Sequence, residues 1–148
     1  MSEIMRGLEA ELSSQKAFKI MDLLNGIPIK NYKIYTPGCM VYPRYNSASD
    51  SGIILLQDLE NLSMPDYIVS ELSLHFFPLE GPVRKIKDYK DFESSVCFCS
   101  ILYYDCAFLE IYAKDVTWIQ IFEKNIKYMH PLSLQAKTSS SDERVYFF

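Results

Sequence analysis

The two histidines are the side chains of this 148-residue chain whose pKa best suits acid–base chemistry near neutral pH. His75 alternates with Glu71 and Ser73, a spacing that puts all three on one side of a β-strand. His130 lies beside Pro131, at an expected helix end. Neither histidine has a Gly-x-Ser-x-Gly elbow nearby, the local signature of α/β-hydrolases. A surface position is therefore expected for both, and a hydrolase built on His75 and acids is the last alternative.

Cysteines are the residues best suited to hold a metal ion. Cys97, Cys99 and Cys106 lie in two neighbouring apolar stretches, and the register described below puts them on the face of Glu110. Thiolates beside a carboxylate are possible zinc ligands. However, Cys-x-Cys on a flat strand spreads its sulfur atoms poorly around one ion, and no histidine lies nearby in the sequence. We expect packed, reduced thiols, the usual state of buried cysteine, and no metal.

Acid pairs and glycine loops indicate no further chemistry. Glu9 and Glu11 alternate on an expected strand and point to one side, which is most often a solvated face. The five glycines stand far apart, so no phosphate-binding loop can be drawn. We therefore expect no cofactor and no catalytic residue of a recognisable type.

Recognition chemistry is concentrated in the irregular stretch around Pro43. Tyr42, Arg44 and Tyr45 gather there, and arginine with aromatic residues is the mixture enriched at binding sites. Arg84, which follows Gly81 and Pro82 in an expected loop, is a second candidate. These four residues (Tyr42, Arg44, Tyr45 and Arg84) are the predicted ligand- or partner-binding set. An ordinary exposed arginine in a loop is the competing interpretation.

The charge of the chain argues against nucleic acid as a partner. Its 15 Lys and Arg face 19 Asp and Glu, a formal net charge of −4, whereas phosphate neutralisation needs a basic stripe. No apolar run reaches the roughly 18 residues of a membrane span. The N-terminus carries acids where a signal peptide has its apolar core. We expect a cytoplasmic protein without a membrane partner, in which reduced cysteines are normal.

The stretch from Ser95 to Met129 organises the expected fold. Residues 96–103 and 106–113 are rich in β-branched, aromatic and cysteine side chains, which favours two strands joined by a short turn. A two- or four-residue loop puts an apolar set on the face that helices should cover, whereas a three- or five-residue loop shifts the register by one. The expected apolar set is Val96, Phe98, Leu102, Ala107, Leu109, Ile111 and Ala113. Asp115 then caps a helix whose apolar side includes Trp118.

The remaining patterns alternate strands with single helices. Strands are expected at 5–12, 32–35, 39–42, 66–77, 132–138 and 144–148, and helices at 15–25 and 52–62, with one helical turn at 89–94. Residues 32–35 and 39–42 are the expected arms of a small hairpin. This order predicts a single α+β domain over 1–148, with an antiparallel or mixed sheet and about three helices packed mainly on one face.

Several stretches in this order also resemble a small family of uncharacterised proteins from Bacillus-like Firmicutes or their phages. The resemblance rests on MRGLEAEL, KNYKIY, DSGIILLQDLEN followed by YIVSELSLHFFP, KDYKDFESSVCFCSILYYDCAFLEIYAKD, and the aromatic end RVYFF. These shared signals are strand and helix patterns rather than catalytic motifs. The resemblance implies a bacterial or phage source, a cytoplasmic location and one α+β domain, and it carries over no functional residue.

Two hypotheses of function follow. The first is a non-enzymatic binding protein that masks or inhibits a macromolecular partner, as inhibitors and immunity proteins do. The alternative is a phage-type sponge that sequesters a small nucleotide-derived signal by aromatic stacking and an arginine. The expected partner is thus a protein or a small anionic ligand, and a homo-oligomer stays open. A pocket lined by tyrosines and an arginine favours the sponge, and an exposed aromatic patch favours the protein partner.

Overall fold

The computed structural model describes residues 5–45, 52–138 and Phe147, and in them the chain forms eight strands and four α-helices. The strands are β1 (Met5–Glu11), β2 (Tyr32–Tyr35), β3 (Cys39–Tyr42), β4 (Ile53–Ile54), β5 (Ile68–Pro78), β6 (Cys99–Tyr104), β7 (Phe108–Ala113) and β8 (Ser133–Thr138). The helices are α1 (Ile20–Leu23), α2 (Leu56–Leu62), α3 (Tyr89–Ser94) and α4 (Val116–Tyr128). The expected terminal strand at 144–148 lies outside the described residues, apart from Phe147.

The eight strands belong to one open sheet: seven follow the order β4-β2-β5-β6-β7-β1-β8, and β3 pairs with β5 beside this path. Each pairing between described strands is antiparallel. The α+β prediction is thereby confirmed, with an antiparallel rather than a mixed sheet. The expected hairpin of β2 and β3 is wrong. Both strands pair with β5 instead, β2 along its second half and β3 along its first half.

The two faces of the sheet are covered by different elements. On the helical face, α1, α2 and α4 pack on the larger apolar core, which includes Leu8, Leu72, Leu74, Phe76, Ile101 and Ile111. On the opposite face, α3 and Phe147 pack on a smaller core that includes Phe77, Ile86, Cys97, Leu102 and Tyr112. The sheet therefore carries four helices rather than the three expected, and the extra one lies on the opposite face.

The turn between β6 and β7 explains why the expected inward face of β6 was wrong. Tyr104 pairs with Phe108, so the loop has three residues, and Leu102 lies opposite Glu110 rather than opposite Ala107 as expected. Asp105 and Cys106 adopt left-handed backbone angles, with φ of 54° and 58°. The expected inward positions of β7, such as Leu109, are confirmed. In β6 the helical face is occupied by Cys99, Ile101 and Tyr103, whereas Leu102 faces the other way.

Two helices are shorter than the apolar patterns of the sequence predicted. The helix expected at 15–25 is reduced to α1, because Phe18 leaves the helical path to stack on Tyr103 with ring centroids 4.0 Å apart. In the segment 52–62, the first apolar residues form β4 and pair with β2. Helix α2 begins only at Leu56, where the Asp58 carboxylate accepts the backbone N–H of Leu55 at 2.9 Å.

The close contact of β1 with β7 depends on Gly7. This residue lies opposite Tyr112, and a Cβ atom at position 7 would overlap the backbone carbonyl of Ile111. Any other residue would therefore push the two strands apart at the centre of the sheet.

Helix α4 closes the helical face. Its expected N-cap is confirmed, because the Asp115 side chain accepts the backbone N–H of Thr117 at 2.8 Å. Trp118 is only 5% exposed and packs edge-to-face on Tyr32, Phe76 and Phe98, with centroid distances of 4.8–5.7 Å. The expectation that Trp118 belongs to the core is confirmed.

Among the described residues, no helix is long and apolar enough to cross a membrane.

We predict that Trp118→Ala lowers the free energy of unfolding by about 3–5 kcal/mol, the cost of emptying a large buried aromatic site. Val116→Ala, on the exposed side of the same helix, is the matched control and should change stability by less than about 0.5 kcal/mol. Urea unfolding of both variants measures this. Equal effects of the two substitutions would contradict the packing described for the indole.

Candidate functional site

The stretch after β3 presents two of the predicted binding residues to solvent. Tyr42 is 77% exposed and Arg44 is also exposed, on either side of Pro43, whose peptide bond with Tyr42 is cis. Neither side chain makes a hydrogen bond or ion pair within the described part of the chain. Both are thus free to contact a partner.

Tyr45, in contrast, anchors this stretch to α2. Its hydroxyl donates to Asp58 Oδ1 at 2.6 Å and accepts from Asn61 Nδ2 at 3.0 Å, and its ring packs edge-to-face on Tyr67. Burial and the hydrogen bond to the Asp58 carboxylate raise the pKa of Tyr45. The residue therefore ties the stretch after β3 to α2.

Arg84 lies elsewhere and is already engaged. Its guanidinium donates to both carboxylate oxygens of Asp91 in α3, at 2.8 and 2.7 Å, and to the carbonyl of Lys85. These bonds hold the pKa of Asp91 at about 2. Since Arg84 contacts α3 on the opposite face and Tyr45 packs against the helical core, the structure does not bring the four predicted residues into one site.

Tyr42 belongs to an exposed apolar patch that the sequence pattern did not reveal. In the β3–β5 pairing, Tyr42 lies directly across from Ile68, and Met40 lies two residues before it. The exposed fractions of Met40, Tyr42 and Ile68 are 58%, 77% and 59%. We call these three residues the open corner. They occupy the part of the opposite face that α3 and Phe147 leave uncovered.

A β-bulge creates the open corner. The pairing steps from Met40–Glu71 to Val41–Val69, so Ser70 is an extra residue in β5. Regular alternation assigned Ile68 to the face of Leu72, which is the buried helical face. After the bulge, Val69 takes the buried position and Ile68 turns outward. Only knowledge of the bulge would have identified Ile68 as a surface residue on the side of Tyr42.

His75 contradicts its expected surface position. It is fully buried on the opposite face, where Nδ1 lies 2.7 Å from Ser100 Oγ, and Phe147 stacks over its ring. Ser100 Oγ in turn lies 3.5 Å from Cys97 Sγ. Burial lowers the pKa of His75 to about 4, and its Nε2 has no partner within the described residues. His130 is exposed, as expected.

The His75–Ser100–Cys97 cluster contains a base beside two nucleophile types, but its surroundings favour packing. Each member is buried, and burial raises the pKa of Cys97, which lowers its thiolate fraction. In the structure as it stands, the cluster satisfies polar groups inside an aromatic core.

Glu110 belongs to a polar network and not to a cysteine cluster. Its carboxylate accepts hydrogen bonds from the hydroxyls of Tyr104 and Tyr112, at 2.9 and 2.8 Å, and from Lys137 Nζ at 3.3 Å. Lys137 also lies 3.5 Å from Glu9, which is paired directly opposite Glu110. One ammonium group thus offsets two neighbouring carboxylates, and burial together with Glu110 raises the pKa of Tyr112.

The three cysteines of the hairpin point to three different environments. Cys97 lies in the core of the opposite face, Cys99 in the helical core, and Cys106 in the exposed turn. The expected common face of the three cysteines with Glu110 is therefore wrong: the register set by the three-residue loop puts Cys99 on the other face, and Cys97 lies before β6 begins. In the described ranges, no group of three or more His, Cys, Asp or Glu side chains is arranged to hold a metal ion.

We predict that acid destabilises the fold through His75. Its pKa is about 4 in the folded chain and near 6.5 when unfolded. The unfolded state therefore takes up a proton first, and stability falls as the pH drops from about 6.5 towards 4. Between pH 7 and pH 5 the loss should be roughly 2 kcal/mol, measured by urea unfolding at both pH values.

The control is a pair of matched substitutions, because the chain has only two histidines. His75→Gln keeps a neutral hydrogen-bonding group and should remove most of this pH dependence. His130→Gln should leave it unchanged. A parent-like loss in His75→Gln would show that other groups cause the acid sensitivity.

We also predict an order of thiol reactivity in the native protein. Cys106 and Cys39 are both exposed. Cys106 should be alkylated first and Cys39 more slowly, because desolvation raises the pKa of the Cys39 thiol. Cys97 and Cys99 should react only on unfolding, since burial raises the pKa of both. Mass spectrometry of timed alkylation gives the order. Rapid native labelling of Cys99 would mean that the helical core is open.

Comparison with known proteins yields a family and nothing more specific. No curated protein and no solved structure matches the chain. A family model described as "Protein of unknown function (DUF2691)" matches residues 5–148, which confirms the resemblance to an uncharacterised family. With nearly its whole length matched, the chain belongs to the DUF2691 family.

Proposed function

We propose that this protein is a non-enzymatic binding protein that covers a site on a partner protein, in the manner of an inhibitor or immunity protein. The open corner is the observation that carries the proposal. Met40, Tyr42 and Ile68 are contiguous in the β3–β5 register and more than half exposed, on the face that carries the core of α3 and Phe147. Exposed apolar patches of this kind mark interaction sites.

The chemistry of the open corner suits a protein surface better than a nucleic acid. Methionine, tyrosine and arginine are enriched in protein interfaces, and Arg44 lies directly beyond Tyr42 and Pro43. Glu71 pairs with Met40 and adds a negative charge at the edge of the patch. This carboxylate disfavours phosphate groups beside Met40, in agreement with the net negative charge of the whole chain.

The backbone of β3 indicates how the partner would bind. Strand β3 pairs with β5 alone, and within the described residues its other side is an open edge. An extended segment of the partner can add to this edge, with main-chain hydrogen bonds to β3 and side chains on the open corner. Tyr45, fixed on α2, keeps Tyr42 and Arg44 in place and so limits the entropy lost on binding.

The sponge hypothesis, built on the same predicted residues, has less support. It requires an arginine and tyrosines around one pocket, yet the Arg84 guanidinium is bound bidentately by Asp91 and Tyr45 is bound to α2. The proposal includes a cytoplasmic location and a bacterial or phage source, which rest on the sequence resemblance.

We predict that Tyr42→Ala and Arg44→Ala each weaken partner binding by about tenfold or more, because exposed aromatic and arginine anchors dominate interface energies. Melting temperatures should stay unchanged, since neither side chain is packed. The measurement is quantitative proteomics on a bacterial lysate, with the parent and each variant immobilised in parallel. Hydrogen exchange of the complex should show slower exchange in residues 39–42.

Leu132→Ala is the matched control, because Leu132 is a similarly exposed apolar side chain that belongs to neither the open corner nor α4. A protein retained by the parent and by this control, but not by Tyr42→Ala or Arg44→Ala, supports the proposal. If every retained protein binds all four forms equally, the open corner is not the interface.

A further inference from the structure

We infer that a second site, independent of the open corner, binds a small anion carrying a planar ring. The site is a groove of about 490 Å³ between the segment 12–25 and the last turn of α4. This volume lies in the range of about 300–1,000 Å³ that small-molecule sites occupy. Neither the expected binding residues nor the open corner contributes to it.

The groove has an apolar floor and a fixed wall. Phe18 is buried by its stacking on Tyr103, and Met21 and Met129 complete the apolar lining. The wall is held by Asn125, a buried residue of α4 whose Nδ2 donates to the carbonyls of Leu23 and Asn25 at 2.7 and 2.8 Å. These bonds tie α1 to α4, so the groove is formed before any ligand arrives.

The charges at the rim select an anion. Lys16 and Lys19 line the groove and are exposed, and neither makes a salt bridge with a described carboxylate. Asp22 is the single carboxylate among the lining residues, which leaves an excess of one positive charge. On a chain with a net charge of −4, this local excess attracts anions to a place that the overall charge does not favour.

Tyr128 adds a surface for a planar ring. Its side chain is 74% exposed at the mouth of the groove, where Lys124 and Lys127 of the same helix lie beside it. Lys127 is paired with Glu123 at 3.3 Å, and neither Lys127 nor Lys124 lines the groove, so Lys16 and Lys19 supply its positive charge. A ring stacked on Tyr128 with its acidic group directed to Lys16 and Lys19 uses both features. A nucleoside monophosphate and an aromatic carboxylate share this chemistry.

The test is a titration of the intact protein with adenosine monophosphate and with naphthoate, followed by NMR amide shifts. Saturable binding with a Kd of about 1 mM or tighter is expected for at least one of them, with shifts at Phe18, Met21 and Met129. Adenosine, which lacks the phosphate, should bind about tenfold more weakly than the monophosphate if the lysines hold the acidic group. Binding of naphthoate alone identifies a carboxylate as the preferred acid, and binding of the monophosphate alone identifies a phosphate.

Substitutions separate this site from general charge attraction. The double variant Lys16→Gln, Lys19→Gln and the single variant Tyr128→Ala should each weaken binding by about fivefold or more. The control is Lys85→Gln with Lys90→Gln, which removes the same charge from exposed positions near α3 and should bind like the parent. Absence of saturable binding, or equal loss in the control, would overturn the inference. The Tyr42→Ala variant should bind the anion normally, so this result stands apart from the proposed function.

Discussion

The length of β5 is the constraint on which the rest of the sheet depends. Its 11 residues pair with β6 on one side and leave room for both β2 and β3 on the other. Since β2 takes the second half, β3 pairs with the first half, and no described strand pairs with its other side. The bulge at Ser70 lies in this first half and turns Ile68 outward. Both features of the open corner, its edge and its apolar side chains, thus follow from one strand that is longer than its neighbours.

The same strand must be covered on both faces, and the two covers differ in kind. Leu74 points to the helical core, whereas the next residue, His75, points to an aromatic core built by α3, Tyr112 and Phe147. A neutral imidazole fits there because Ser100, its direct partner in the register, supplies a hydrogen bond. The cover on this face is smaller, and it ends before β3. This partial cover therefore buries the histidine in the middle of the face and leaves the open corner exposed at its end.

Local periodicity made part of this structure predictable. Strand β7, the Asp115 cap and the buried Trp118 were inferred correctly because each depends on residues close in sequence. The face of β6 was not, since Asp105 and Cys106 form a three-residue turn without the glycine that usually signals left-handed angles. The alternation of Glu71, Ser73 and His75 indicated a solvated face, and its cover comes from distant residues such as Phe147. In the candidate site, Tyr42 and Arg44 were recognisable by type, whereas the patch around Tyr42 depends on a bulge.

The contact at Gly7 has an evolutionary consequence. The requirement there is for space, because a Cβ atom would meet the backbone of β7, which no change of rotamer can move away. Any codon change that replaces this glycine adds at least that atom. Divergence within the DUF2691 family should therefore leave position 7 unaltered, even where surface residues such as those of the groove or the open corner have been replaced in adaptation to different partners.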